Sequence, residues 1–346
     1  MNSEMLAAVL YGKEHLRIEP VAIPEIGAGD ILVRVRAALT CGTDVKVFRR
    51  GYHARMIVPP ALFGHELAGD VVAVGADVKT FRAGQRVVSA NSAPCGVCFY
   101  CRKNLENLCE DLLFNNGAYA QYIRIPGRIV QKNTHEIPAH LSYQDAALIE
   151  PMACVLRGLE ECAVQSGDTV AVLGLGPIGL MFVRLAKVMG ARVIAIGRRP
   201  MQLERAVRMG ADEAISSAAT TDIVSAVRNR TAGRGADIAV EAVGKPECWE
   251  YAVNMVRRGG TVNFFGGCPN DTRVDLETNL LHYSEITCKA TFHHTPRHVR
   301  RCLDLVAKGA MTAQDFVNRE EPLTNLLEVM KYLMSHNGHL KTAIIP

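Results

Sequence analysis

The chain has 346 residues, of which 49% are hydrophobic, so its length and composition suit two globular domains with sizeable cores. The net charge of +4 is too small to indicate a nucleic-acid or lipid surface. The longest apolar stretch, TVAVLGLGPIGLMFV, is too short for a membrane span, and the N-terminus lacks the basic start and cleavage site of a signal peptide. We therefore expect a cytoplasmic protein that binds neither nucleic acid nor membrane.

Residues 1–150 are rich in strand patterns and poor in helical ones. The segments DILVRVRAAL, AGDVVAVG and GQRVVSA alternate or run β-branched between turns of Gly, Asp and Lys. This part of the chain is predicted to be an antiparallel, barrel-like domain with long loops.

The pattern changes over residues 151–290. Strands such as DTVAVLGLG and RVIAIG alternate with helical stretches of about a dozen residues, which predicts parallel βαβ units and a doubly wound α/β sheet. Residues 291–346 contain two helical segments and the closing strand HLKTAIIP, which we expect to rejoin the first domain.

The segment GLGPIG has the G-x-G-x-x-G spacing at the end of a predicted strand and the start of a predicted helix, which is the context of a dinucleotide site. The first glycine permits the tight turn, the second lets the backbone approach a pyrophosphate, and the third lets helix and strand pack closely. The helix N-terminus offers amide hydrogens to the phosphates. The predicted cofactor-binding residues here are Gly174, Gly176, Pro177, Ile178 and Gly179.

The end of the next strand bears on the choice of cofactor. An acidic residue about twenty positions on would hold the ribose of NAD, but Gly197 stands there, followed by Arg198 and Arg199. Two guanidinium groups favour the 2′-phosphate of NADP. The alternative is a solvated pair at a helix start, so NADP is predicted and NAD remains possible.

Four of the eleven cysteines lie in one loop with the spacing C-x2-C-x2-C-x7-C. An odd number of cysteines in a chain of this length does not suggest a secreted disulfide framework. Four thiolates on a short loop suit a closed tetrahedral zinc site of structural type, and an iron–sulfur cluster is the competing interpretation. The predicted ligands are Cys95, Cys98, Cys101 and Cys109.

A catalytic metal would need other ligands, since a closed site has no position for substrate. The segments CGTD, GHE and EP supply cysteine, histidine and carboxylate side chains, all of them zinc ligands. Each segment alone is weak evidence, because a lone histidine is more often a core residue. Together with a dinucleotide site they predict one catalytic metal site.

The motifs CGTD, GHELAGDVVAVG, GQRV, CGVCFYCRKNLENLC, IEP and GLGPIG occur in the order found in the zinc-containing medium-chain dehydrogenases, and the chain resembles that family over nearly its whole length. It is most similar to the polyol branch, the sorbitol or iditol 2-dehydrogenases, and next to the threonine dehydrogenases. The resemblance implies a GroES-like catalytic domain with the structural zinc loop, a Rossmann coenzyme domain, and a homodimer or homotetramer.

The resemblance also assigns roles in a site with two zinc ions per chain. Cys41, His65 and Glu66 would be ligands of the catalytic zinc, Glu150 a fourth ligand or the holder of the zinc-bound water, and Thr43 the hydroxyl that passes on the substrate proton. Zinc would act as a Lewis acid on the alcohol oxygen, and hydride would pass to the nicotinamide.

Some positions depart from the family pattern. Lys46 stands where a proton-relaying histidine is common, and Val47 where a substrate-contacting tyrosine is usual. Phe-His-His at 292–294 replaces a Phe-Arg-Tyr stretch, so His293 and His294 are either pocket residues or exposed at a strand end.

The predicted function is therefore a zinc- and NAD(P)-dependent oxidoreductase that interconverts a secondary alcohol, polyol or sugar-like, and its ketone. The alternative within the class is a threonine-type amino-alcohol 3-dehydrogenase. A zinc module for nucleic acid would require a basic, aromatic-rich surface, which 6% aromatic residues do not favour. A zinc-free quinone reductase would lack Cys41, Glu66 and the cysteine loop.

Overall fold

The computed structural model describes residues 3–53, 55–335 and 340–346. The chain divides into two compact units, one formed by residues 1–153 with 294–346 and the other by residues 154–293. No helix in these described ranges is both long and apolar enough to span a lipid bilayer.

The first part of the chain contains ten strands and five α-helices among its described residues. The strands are β1 (Glu4–Gly12), β2 (His15–Ala22), β3 (Ile31–Leu39), β4 (Ala61–Leu62), β5 (Glu66–Val74), β6 (Arg86–Ser89), β7 (Ser92–Ala93), β8 (Leu113–Phe114), β9 (Tyr122–Ile125) and β10 (Thr134–Glu136). The helices are α1 (Gly42–Arg50), α2 (Phe99–Arg102), α3 (Gly127–Asn133), α4 (Tyr143–Ala147) and α5 (Ile149–Glu161), with a 3-10 turn at Glu106–Leu108.

The middle of the chain alternates strictly between strand and helix. Its strands are β11 (Thr169–Leu173), β12 (Arg192–Gly197), β13 (Glu213–Ser216), β14 (Ala236–Glu241), β15 (Val256–Phe264) and β16 (Thr287–Ala290). Its helices are α6 (Pro177–Val188), α7 (Pro200–Arg208), α8 (Ile223–Asn229), α9 (Pro246–Met255) and α10 (Thr278–Tyr283). These strands form one six-stranded sheet in the order β13-β12-β11-β14-β15-β16, with every pair parallel. The doubly wound sheet expected from the sequence is thus present.

The last part of the chain returns to the first unit. Its elements are α11 (Pro296–Ala307), α12 (Ala313–Phe316), β17 (Val317–Pro322), a 3-10 turn at Leu323–Asn325, α13 (Leu326–Ser335) and β18 (Lys341–Ile345). Strand β18, which was expected to rejoin the first domain, pairs antiparallel with β3. It joins a seven-stranded sheet in the order β10-β6-β5-β3-β18-β17, with β9 also paired to β3.

One feature of this sheet differs from the antiparallel expectation, because β17 and β18 pair in parallel. Helix α13 lies between them in the chain, and a crossover helix returns the chain in the same strand direction. The other pairs of this sheet are antiparallel. Strand β3 shows why the sequence pattern predicted them, since Ile31, Val33 and Val35 are buried while Arg34 and Arg36 are exposed.

Candidate functional site

The cysteines of the loop at residues 95–109, here called the four-cysteine centre, converge as the spacing predicted. Their sulfur atoms all lie within 4.8 Å of one another. The Sγ atoms of Cys95 and Cys101 are 3.9 Å apart, and those of Cys98 and Cys109 are 3.8 Å apart. These distances exclude disulfide bonds and match the sulfur spacing of about 3.8 Å around a tetrahedral zinc with bonds of about 2.3 Å. The residues present therefore fit a zinc ion.

Backbone amides of the same loop support these sulfur atoms. The amides of Val97 and Cys98 donate to the Sγ of Cys95, and the amide of Cys95 donates to the Sγ of Cys109 at 3.2 Å. The amides of Cys101 and Glu110 lower the pKa of Cys98 to about 6. These hydrogen bonds favour the thiolate of Cys98, which is the form that binds metal, whereas burial raises the pKa of Cys101 to about 12.

A second group, here called the mixed-ligand centre, consists of Cys41, His65 and Glu66. One ligand atom from each lies within 4.8 Å of the others, and both His65 and Glu66 are buried. Cys41 caps the N-terminus of α1, where its Sγ accepts the amide hydrogen of Thr43 at 3.4 Å, and Glu66 begins β5. This group also fits zinc, since it offers one thiolate, one imidazole and one carboxylate.

Asp44 orients two members of the mixed-ligand centre. Its Oδ1 lies 3.0 Å from the Nδ1 of His65, and its Oδ2 accepts the amide hydrogen of Cys41 at 3.0 Å. Tyr119, fully buried, donates its hydroxyl hydrogen to the same Oδ2 at 2.6 Å. Burial would lower the pKa of His65, but the adjacent Asp44 carboxylate raises it overall. With Nδ1 held by a carboxylate, Nε2 is the nitrogen left for a metal.

The glycine of the GHE motif has a structural reason. Gly64 has a φ of +91°, and a Cβ atom there would lie 2.5 Å from the ring of Tyr119. Only glycine allows this backbone conformation without strain and lets the tyrosine ring pack so closely. Gly64 therefore makes room for the side chain that holds Asp44.

Sequence reasoning missed Lys341. Its Nζ donates to both carboxylate oxygens of Glu66 at 2.6 Å and to the carbonyl oxygen of Thr40 at 3.0 Å. Lysine and glutamate are 2% and 0% exposed, so this is a fully buried ion pair. Burial raises the pKa of Glu66, and the charge of Lys341 opposes that rise. The sequence contained a sign of this pair, because Lys341 lies within the otherwise apolar segment LKTAII. A lysine buried in such a strand is rarely found without an acidic partner.

Glu150 is buried near the N-terminus of α5 but is not within the 4.8 Å set of the mixed-ligand centre. Burial raises its pKa to about 7, with His65 opposing and Glu66 adding to the rise. The Oε1 of Glu150 lies 3.7 Å from the Nε2 of His294. The same nitrogen lies 3.2 Å from the Oδ1 of Asn91. His294 is 2% exposed, so the alternative that it is exposed at a strand end is wrong for this residue.

The other positions that depart from the family pattern are placed as follows. Lys46 is exposed on α1, whereas Val47 on the same helix belongs to the hydrophobic core. His293 has a positive φ of 67°, and its carbonyl oxygen accepts from Arg157 at 3.4 Å.

A cavity of about 480 Å³ lies at the carboxyl ends of the parallel strands in the second unit. It is lined by the glycine turn, by Gly197, Arg198 and Arg199, and by the hydroxyl-bearing Ser217 and Thr220. This is the edge at which doubly wound sheets bind their ligands.

The glycines of the turn act as the sequence pattern suggested. Gly174 has a φ of +99°, and a Cβ atom at Gly179 would lie 1.7 Å from the carbonyl oxygen of Gly174. A Cβ atom at Gly176 would meet nothing within 4 Å, so the backbone there is open on its side-chain side. Pro177, Ile178 and Gly179 form the first turn of α6. These features suit a pyrophosphate at the helix N-terminus.

The arginine pair is not neutralised locally. Arg198 is exposed, and among the described residues it forms no hydrogen bond or ion pair; Arg199 donates to the Oε1 of Gln202 at 3.1 Å. Burial and the neighbouring charge of Arg198 lower the pKa of Arg199. The acid in the cavity lining, Glu247, pairs with Lys245 at 3.4 Å. Two adjacent cations beside a phosphate-binding turn favour a further anion.

Comparison with known proteins gives consistent matches over the whole chain. The model of the alcohol dehydrogenase GroES-like domain matches residues 27–138, and that of the zinc-binding dehydrogenases matches residues 177–308. The sorbitol dehydrogenase of Bacillus subtilis is 32% identical over 350 residues, covering 99% of this chain and 97% of the relative. The L-threonine 3-dehydrogenase of Bacillus licheniformis is 34% identical over 288 residues, and the match covers 81% of this chain and 82% of the relative.

Solved structures agree with the fold. A protein of Sinorhizobium meliloti described as a zinc-binding dehydrogenase bound to NADP is 31% identical. It superposes with a TM-score of 0.92 and covers 100% of both chains.

Proposed function

The chain belongs to the zinc-containing medium-chain alcohol and polyol dehydrogenases, and we propose that its mixed-ligand centre and its dinucleotide cavity carry out that family's chemistry. It is a zinc-dependent oxidoreductase that interconverts an alcohol and its ketone, acting on a small molecule. The observation that carries the residue assignment is the convergence of Cys41, His65 and Glu66 within 4.8 Å.

Zinc, when bound, supplies Lewis acidity to the alcohol oxygen, and the nicotinamide accepts the hydride. The chain's own residues prepare the site. Asp44 fixes the ring of His65, and Lys341 holds Glu66, so that both ligand side chains are oriented in advance. Thr43, next to the Cys41 cap, offers the hydroxyl that would take the substrate proton. Glu150 is the buried carboxyl group proposed as the fourth ligand or as the holder of a water molecule.

The proposed substrate class is a secondary alcohol of the polyol or sugar-like type. The sorbitol dehydrogenase of Bacillus subtilis supports this class, because the match to this chain covers 97% of that relative. A threonine-type amino alcohol is the second candidate, because an L-threonine 3-dehydrogenase is 34% identical.

A panel of polyols, inositols, sugars and amino alcohols, each assayed with NAD and NADP, separates these candidates. We expect turnover with polyols, followed as absorbance of the reduced nicotinamide. Turnover with L-threonine alone would replace the polyol proposal by the amino-alcohol one.

We propose NADP as the preferred cofactor, because Gly197 leaves no acid to repel a 2′-phosphate and Arg198 and Arg199 line the same cavity. Loss of a charge-assisted contact costs about 2 kcal/mol, or roughly thirtyfold in preference. We therefore expect Arg198→Ala with Arg199→Ala to raise the KM for NADP about thirtyfold and to leave the KM for NAD nearly unchanged. A double variant that keeps its NADP preference would contradict this assignment.

A change of Gly197 to Asp is a less clean test of the same idea. A Cβ atom at this position would lie 2.7 Å from Leu175 Cδ1 and 3.0 Å from its Cγ, so this leucine must move before the new carboxylate can act. A matched Gly197→Ala variant isolates the steric part. The difference between the two variants then measures the effect of the charge.

We also propose a cytoplasmic homodimer or homotetramer. The family resemblance supports the oligomer, and light scattering after gel filtration measures its mass. The eleven cysteines, an odd number in a chain of this length, suit reduced thiols better than a disulfide framework, which supports a reducing compartment.

A further inference from the structure

Glu241 ends β14 and is a buried carboxyl group that the proposed chemistry does not use. It is 0% exposed, and its Oε1 accepts the amide hydrogens of Val243 and Gly244, each at 2.8 Å. Its Oε2 lies against Gly266, and no cation within the described part of the chain forms an ion pair with the carboxyl group. A carboxyl group is costly to bury in this way, which points to a positional role rather than to core packing.

The loop that Glu241 holds is a wall of the dinucleotide cavity. Ala242, Val243 and Lys245 lie between β14 and α9 and line that cavity. The amide of Ala242 donates to the carbonyl oxygen of Leu173 at 2.8 Å, at the end of β11. A Cβ atom at Gly174 would lie 2.5 Å from the Cγ2 of Val243, so this loop rests directly on the glycine turn.

The other side of the carboxyl group is closed by backbone. A Cβ atom at Gly266 would lie 2.6 Å from Glu241 Oε2 and 2.4 Å from the amide nitrogen of Gly244. Trp249 on α9 donates its Nε1 hydrogen to the carbonyl oxygen of Gly266 at 3.1 Å and stacks on Phe264 with ring centroids 4.0 Å apart. The carboxyl group is therefore enclosed between two backbone segments, and neither can move without disturbing the other.

We propose that Glu241 is a positioning residue for dinucleotide binding, whose carboxyl group fixes the loop 242–245 against the glycine turn. It acts through the loop and does not touch the nucleotide itself. The inference rests on the proposed dinucleotide cavity. It differs from the arginine assignment because it concerns both NAD and NADP, whose shared pyrophosphate lies at the glycine turn in this proposal.

The test compares four variants by nucleotide binding and by steady-state kinetics. Trp249 is the only tryptophan in the chain, so quenching of its emission by NADPH gives a Kd without turnover. Glu241→Ala removes the acceptor of two amide hydrogens, and we expect the NADPH Kd and the KM for NADP to rise about tenfold to a hundredfold, with kcat within about twofold. Glu250→Ala, on α9 with Trp249, is the matched control and should leave both values unchanged.

Two further variants separate positioning from general loss of structure. Glu241→Gln keeps an oxygen acceptor for Val243 and Gly244, and because burial already favours the uncharged carboxyl group, it should restore the Kd to within about fivefold of the parent. Gly266→Ala keeps Glu241 but places a methyl group against its Oε2 and against the amide nitrogen of Gly244, so it displaces the loop directly and should raise the Kd if the position of the loop governs binding. If Glu241→Ala does not fold, this pair still decides the question.

The titration of the parent protein distinguishes the two proposals. A parent that does not bind NADPH overturns the dinucleotide cavity itself, and this inference with it. A parent that binds NADPH, together with Glu241→Ala and Gly266→Ala variants of unchanged Kd, overturns only the role of Glu241. A fall in kcat at unchanged Kd would also contradict a positioning role in binding.

Discussion

The two candidate metal centres are built in opposite ways. The four-cysteine centre comes from one stretch of chain, residues 95–109, and its sulfur atoms accept hydrogen bonds from backbone amides of that stretch. The mixed-ligand centre joins positions far apart in the sequence, and its ligands are held by charged side chains, Asp44 and Lys341.

The difference separates structure from chemistry. Backbone amides can only fix a loop around its metal, and four thiolates fill every position of a tetrahedral ion. Side-chain carboxylates and a lysine can instead tune the charge of the proposed ligands, and a site with three protein ligands would leave a position for substrate. The first centre should therefore govern stability, and the second should govern turnover.

Removing His65 should produce the largest effect on activity. His65→Ala takes one ligand from the mixed-ligand centre, and we expect kcat/KM to fall by more than about a thousandfold, since metal catalysis supplies several kcal/mol. Asp44 keeps its hydrogen bonds from Cys41 and Tyr119, so the fold should persist. Steady-state kinetics measures the loss of kcat/KM, and a thermal melt measures whether the fold persists. A variant that retains a tenth of the activity would show that His65 is not a ligand.

Breaking the Lys341–Glu66 pair should have the largest effect on stability. In the zinc-free protein, Lys341→Met leaves a buried carboxylate without its cation, and the free energy of unfolding should fall by about 3–5 kcal/mol. The double variant with Glu66→Gln removes the orphaned charge and should recover most of that loss. Urea denaturation measures the free energy of unfolding of both variants. If the single and the double variant lose the same free energy of unfolding, Lys341 and Glu66 are not coupled.

Changing the four-cysteine centre should affect stability more than chemistry. Cys98→Ser weakens a structural zinc site, and we expect the free energy of unfolding to fall by more than about 2 kcal/mol, because metal binding contributes folding free energy. Cys288→Ser, at an exposed cysteine, is the matched control. If both variants have the same melting temperature as the parent protein, the four-cysteine centre has no structural role.

Much of the fold was predictable because its patterns are local. The alternation of strand and helix after residue 150 and the G-x-G-x-x-G turn depend on short-range periodicity and spacing. Helix α1 was missed because its N-cap is Cys41, which is outside the usual set of capping residues. The short strand β13 at Glu213–Ser216 carries too few residues to show a period.

The candidate site was predictable only in part. Motif and family resemblance pointed to the proposed ligands, but the side chains that hold them come from distant positions. Asp44 lies within the CGTD motif yet its contacts with His65 and Tyr119 depend on the folded chain. Lys341 meets Glu66 only because β18 pairs with β3 and brings the end of the chain to the centre.

Metal release under a chelator tests the contrast between the two centres most directly. Zinc content, turnover and the melting temperature are followed together in one time course on the parent protein. The account predicts two zinc ions per chain at the start. The zinc ion of the mixed-ligand centre should be lost first, together with activity, and the zinc ion of the four-cysteine centre should be lost later, together with stability. One zinc ion in a fully active chain, iron in the four-cysteine centre, or a fall in stability before activity would contradict it.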